Sequence, residues 1–180
     1  MSNAATHILF AIILIELFRE FVIKDNKKFP RYYILVAVIG GILPDLDFIF
    51  VYVLYPFGFL PEVLHRTFLH SLLVPLVLLL IGILVWKLGI QYSSIGKRHM
   101  TLPGIFFILS AGSFLHLFLD WFFVGIIMPF YPFNSFAMDF NVVRFFPEIL
   151  QKYIEPTLDG ILLLFWIFWM EFKLKITDYF

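Results

Sequence analysis

Apolar residues run along this chain in blocks too long and too unbroken for the core of a soluble domain. Five blocks stand out, at residues 6–23, 32–55, 69–88, 103–127 and 160–172; the last extends back toward residue 153. A helix of about 20 residues crosses a hydrocarbon core, so each block is read as a membrane span. Only helices and closed barrels satisfy every backbone group in lipid, and the strict alternation of barrel strands is missing here. The pattern therefore predicts an all-α, polytopic helical bundle of about five transmembrane helices. Gly40, Gly41 and Pro44 interrupt the second block and predict a broken or irregular helix there. Ahead of the last block, Pro147–Ile154 places Ile149, Leu150, Tyr153 and Ile154 on one helical face, the signature of a helix lying along the membrane surface.

Charge orients the bundle. Lys24, Lys27, Lys28 and Arg31 join the first two blocks, Lys97, Arg98 and His99 join the third and fourth, and Lys173 and Lys175 follow the fifth. The positive-inside rule puts all three groups in the cytoplasm, which leaves the N-terminus outside and the C-terminus inside. The N-terminal stretch does not read as a secretory signal, because no cationic segment precedes it and Glu16, Arg19 and Glu20 interrupt it.

Composition agrees. In 180 residues, 62% are hydrophobic and 14% charged, with a mean hydropathy of +0.95. That places the chain at the cell membrane as one multi-pass domain over 1–180. A net charge of zero gives no basic surface for nucleic acid. With no cysteine, any metal site must use nitrogen and oxygen donors.

Against this background the polar residues at membrane depth are conspicuous. Ionisable groups in a bilayer are costly and mark functional sites by default. His7 opens the first block, Asp45 and Asp47 sit within the second, His65 and His70 stand at the start of the third, and His116 and Asp120 lie in the fourth. His116 and Asp120, four apart, share a helix face and can grip one ion; Gly112 lies one turn earlier on that face, where it admits a ligand or a neighbouring helix. Asp45 and Asp47, two apart, would diverge in a regular helix, which the preceding glycines and proline relieve. All seven positions fall in the outer half of the membrane in this topology. A single such residue is equally a helix-packing contact, and a proton or metal-ion transporter uses the same residue types. Seven of ligand type converging from four segments favour a metal site. Asp159 is read as a helix N-cap or a further ligand, and Arg66 as a surface arginine or a holder of a phosphate oxygen.

In order and spacing, Ala5-Thr6-His7, Leu43-Pro44-Asp45-Leu46-Asp47, His65-Arg66-Thr67-Phe68-Leu69-His70-Ser71 and His116-Leu117-Phe118-Leu119-Asp120 resemble the LexA-regulated, membrane-bound metal-dependent hydrolases. The resemblance covers about residues 5–135. That family is similar, distantly, to zinc-dependent phospholipase C and related single-strand nucleases. The resemblance implies two or three zinc-like ions, with His7, Asp45, Asp47, His65, His70, His116 and Asp120 as candidate ligands. Asp45 or Asp47 would bridge metals or orient the attacking water. The expected activity is hydrolysis of a phospholipid or other amphiphilic phosphate ester, with membrane lipid as both surroundings and substrate.

Overall fold

A computed structural model describes residues 4–25, 27–58, 68–90, 94–95 and 100–175. His65 and Arg66, and the basic trio Lys97, Arg98 and His99, lie outside the described residues. The chain is helical as expected. Helix α1 (Ala4–Phe18) runs on through a π-helical turn (Arg19–Ile23), and α2 (Tyr32–Ile42) leads through a 3-10 turn (Leu43–Leu46) into α3 (Asp47–Leu54). Then come α4 (Leu73–Lys87), α5 (Leu102–Leu119) with a π-helical turn (Asp120–Val124), and α6 (Glu148–Leu174). Two short antiparallel ladders, Ser94–Ile95 with Met100–Thr101 and Ile126–Ile127 with Met138–Asp139, close connections. Three stretches among the described residues are long and apolar enough to cross a membrane: Tyr32–Phe57, Leu102–Phe123 and Glu148–Lys173; Leu73–Lys87 is a shorter apolar helix.

Helix α5 is the hub. It packs on α2 along one side and on α4 along the other, while α1 lies against α2. Glycine makes the α2–α5 crossing close. A methyl group on Gly40 would stand 2.5 Å from the carbonyl oxygen of Leu109, and one on Gly112 would strike the carbonyl of Ala37 and come within 2.9 Å of the Gly41 amide. Backbone therefore meets backbone, as in small-residue crossings of membrane helices. Ser110 donates to the Pro75 carbonyl at 2.7 Å, giving the α4–α5 contact a polar tie. A core of Ile15, Phe29, Tyr33, Ala37 and Ile108 fills the space between α1, α2 and α5. Most remaining apolar side chains face outward, which in water would be a liability and in lipid is the expected surface.

The break in the second block is where the sequence placed it. Pro44 has no N–H, and the chain tightens to 3-10 geometry across Leu43–Leu46 before resuming as α3. The C-terminal region differs from expectation. The surface helix expected at 147–154 and the last span are one continuous helix, α6, which passes through Pro156. Glu148, Lys152, Glu155 and Asp159 recur at intervals of three and four, so they form one polar stripe on a single helix. The local drop in hydropathy is that stripe and not a change of element. Asp159 is accordingly not an N-cap: it sits inside α6 and accepts a hydrogen bond from the Thr6 hydroxyl of α1. At the other end of the same pair of helices, Lys173 lies 3.0 Å from Glu20.

Candidate metal centre

Four separate stretches of chain deliver the polar residues to one buried point. His7 comes from the first turn of α1, Asp45 from the 3-10 turn, Asp47 from the start of α3, His70 from the turn before α4, and His116 and Asp120 from the end of α5. The turn carrying His70 is held by Ser71, which donates to the Phe68 carbonyl at 2.8 Å, and by the Leu72 amide, which donates to Pro129 at 2.9 Å. Asp120 begins the π-helical turn, and Gly125 ends it with its amide on the Asp120 carbonyl at 2.9 Å. At φ 110° that position suits glycine, and a side chain there would also meet Asp139.

The donor atoms make a compact figure. His70 Nε2 lies 3.5 Å from Asp45 Oδ1 and 3.5 Å from Asp120 Oδ2. His116 Nε2 lies 3.6 Å from Asp45 Oδ1, 3.5 Å from Asp120 Oδ2 and 3.3 Å from His70 Nε2. A tetrahedral ion with arms of about 2.0–2.2 Å has donors roughly 3.3–3.6 Å apart, while cis donors of an octahedron would stand closer. These separations match the tetrahedral figure. His70, His116 and Asp120 can thus hold one ion with little movement, with Asp45 beside the two histidines, and all four belong to the neutral-nitrogen and carboxylate class that suits zinc or a similar divalent metal. His7 approaches from the side. Its Nε2 is 3.3 Å from the other oxygen of Asp120, and its ring stacks on that of His116 with centroids 3.8 Å apart. Two overlapping groups result, His7 with His116 and Asp120, and Asp45 with His70 and His116.

Both central histidines are aimed by their far nitrogens. His116 Nδ1 lies 2.6 Å from the carbonyl oxygen of Gly41; the ring N–H donates there and leaves the Nε2 lone pair facing the other donors. Close approach of α2 and α5 at Gly40, Gly41 and Gly112 brings that carbonyl within reach. His70 Nδ1 lies 3.0 Å from Asp47 Oδ2. Asp47, expected as a ligand, therefore belongs to neither donor group: it and Asp45 bracket one imidazole ring from opposite nitrogens. The divergence of two residues spaced by two was correctly anticipated, but the irregular turn uses it and does not cancel it. A carboxylate behind a ligating imidazole orients it and raises its basicity, and its loss costs about 10–100-fold in metal affinity. Asp47→Asn is expected to weaken metal binding by a factor in that range with helicity unchanged, as read by competition with a metallochromic chelator.

Exposure separates the donors. The side chains of His7, His70, His116 and Asp120 are 0–5% exposed, whereas that of Asp45 is 27% exposed. Asp45 is the donor on the accessible side. Sequence reasoning brought out His7, Asp45, His70, His116 and Asp120 correctly as a convergent set. It missed the Gly41 carbonyl, for which the only signal was the glycine pair facing Gly112, and the Thr6–Asp159 bond behind His7.

Apolar helices of membrane-crossing length, assembled around a buried His/Asp centre able to hold a metal ion, define the class as an integral membrane protein. The chain belongs to the YdjM inner membrane protein family, which matches residues 1–176. This membership is consistent with the LexA-regulated membrane family indicated by the motifs. No curated protein and no solved structure matches the chain.

Proposed function

We propose that the protein is a membrane-embedded, metal-dependent hydrolase acting on an amphiphilic phosphate ester such as a phospholipid or polyprenyl phosphate. The observation that carries this reading is the set of three buried donors, His70, His116 and Asp120, 3.3–3.5 Å apart, with the more exposed Asp45 3.5–3.6 Å from the two histidines. Catalytic sites of this kind keep one position for water or substrate, whereas structural sites bury all four. His70, His116 and Asp120 would hold the ion, and Asp45 would take the proton of the attacking water at the accessible corner. A bound divalent ion there would lower the pKa of that water toward neutrality and polarise the phosphoryl oxygen.

His116 serves both donor groups, yet with Nδ1 committed to Gly41 it offers a single Nε2 lone pair. The two groups are therefore one centre and not two independent ones. A second ion, as the resemblance implies, would be held by His7 Nε2 and Asp120 Oδ1 together with further donors. The depth of the site supports an amphiphile as substrate. His7 stands 16 residues from Ile23 at the basic end of α1, about 24 Å along the helix in a hydrocarbon layer of about 30 Å. With the basic end in the cytoplasm, the centre lies in the outer half, within reach of a lipid phosphate.

The test is metal analysis of purified wild-type and Asp120→Asn protein, followed by headgroup release from a phospholipid panel with and without chelator. Near-stoichiometric metal in wild type, its loss in Asp120→Asn and chelator-sensitive release are expected. Asp45→Asn should keep most of the metal and lose about 100-fold or more in rate, the scale of a general-base contribution. Metal absent from wild type would sink the reading, and metal flux into vesicles without hydrolysis would replace it with a transporter.

A further inference from the structure

Toward the opposite end of the bundle from the metal centre, a cavity opens beside the same helices. α1 and α5 touch at His7 and His116, where the rings stack at 3.8 Å. Eight to twelve residues away, at Ile15 and Phe18 on α1 and Gly104 and Ile108 on α5, they flank a cavity of about 490 Å³. Both stretches lie roughly 12–18 Å from the site, and the cavity lies over the buried core residues Ile15, Phe29, Tyr33 and Ile108. The floor and walls are apolar and aromatic, with Phe29, Phe107 and Ala111 prominent. The hydroxyl of Tyr33 is engaged internally: it accepts from the Thr101 amide at 2.9 Å and lies 3.3 Å from Thr101 Oγ1. Nothing on the walls therefore calls for a polar guest inside.

The rim is different. Lys28 lines the mouth, and its side chain is 82% exposed. It belongs to the run Lys24, Lys27, Lys28 and Arg31, in which Asp25 is the one acidic residue of 24–31. Asp25 is largely occupied within its own turn. The amides of Lys28 and Lys27 donate to Asp25 Oδ1 at 3.2 and 2.9 Å, and these bonds hold its carboxyl below the usual carboxylate range. Lys28 Nζ also lies 3.6 Å from Asp25 Oδ2, yet four cations against one carboxylate over residues 24–31 leave the segment that carries Lys28 net positive beside an apolar slot. Basic pockets between membrane helices on the cytoplasmic side bind anionic headgroups.

We infer that this cavity is a binding site for an anionic phospholipid, with an acyl chain along its apolar wall and the phosphate at Lys28. The site is separate from the metal centre and does not depend on its chemistry.

Native mass spectrometry of the full chain in detergent tests this, with phosphatidylglycerol, phosphatidylcholine and chain-free glycerol phosphate as probes. One phosphatidylglycerol per chain is expected, held more tightly than phosphatidylcholine, with no competition from glycerol phosphate. Lys28→Gln should weaken phosphatidylglycerol about fivefold, the effect of one cation near an anionic surface, and leave phosphatidylcholine unchanged. Ala111→Phe, which fills the slot, should reduce retention of both lipids; helical circular dichroism checks that the variant is folded. Equal retention of the two lipids by wild type would overturn the proposal. So would phosphatidylglycerol binding that neither substitution alters, or displacement by glycerol phosphate alone.

Discussion

Purified His116→Ala protein is expected to carry less than roughly a tenth of the metal bound by wild type, and to release no headgroup above background. Three losses coincide in this substitution. One corner of the donor set disappears, the stack under His7 is removed, and the carbonyl of Gly41 is left in a buried crossing without its ring N–H partner. Loss of a residue that merely orients a ligand costs about 10–100-fold in metal affinity; loss of a ligand should exceed the upper end of that range. The unsatisfied carbonyl adds a stability cost of about 1–3 kcal/mol, so metal content should be measured on protein that remains helical and monodisperse. His116→Gln keeps a polar side chain of similar reach and separates the two effects. Metal loss in both variants supports ligation by the ring; full metal content in either would remove His116 from the centre.

The second large effect lies away from the donors. Gly112→Ala places a methyl group against the Ala37 carbonyl and 2.9 Å from the Gly41 amide, and both are backbone that cannot rotate aside. Overpacking of this sort costs about 1–3 kcal/mol in ordinary cores, and rigid neighbours put this one at the upper end. At about 2–4 °C per kcal/mol for a chain of this size, thermal unfolding in detergent should fall by roughly 6–12 °C. The same displacement moves the Gly41 carbonyl away from His116 Nδ1, so metal affinity should fall even at temperatures where the protein is folded. A Gly112→Ala protein with unchanged melting and metal content would mean that α2 and α5 are not in backbone contact there.

Much of this was legible because membrane burial makes polar residues informative. His116 and Asp120 are four apart on an unbroken helix, so their shared face follows from helix geometry alone, and Gly112 one turn earlier marked where a neighbour packs. What the sequence withheld depends on geometry that residue types do not encode. Whether Asp47 meets the ion or the back of His70 turns on the handedness and pitch of a four-residue 3-10 turn, which Pro44 permits but does not dictate. The extent of α6 was hidden for another reason. Glu148, Lys152, Glu155 and Asp159 lower the hydropathy of any window that averages around the helix, although they occupy one side of it. The cavity at the basic end was also invisible, because a space left among packed helices leaves no pattern along any one of them.

The two links between α1 and α6 carry a consequence of their own. Thr6 meets Asp159 and Glu20 meets Lys173, so an advance of 14 residues along α1 matches an advance of 14 along α6. An antiparallel pair would have joined Thr6 to the far end of α6 instead. The first and last helices therefore point the same way and stay in step over about 21 Å. Parallel first and last helices are what the odd-span topology expected from the loop charges requires of them.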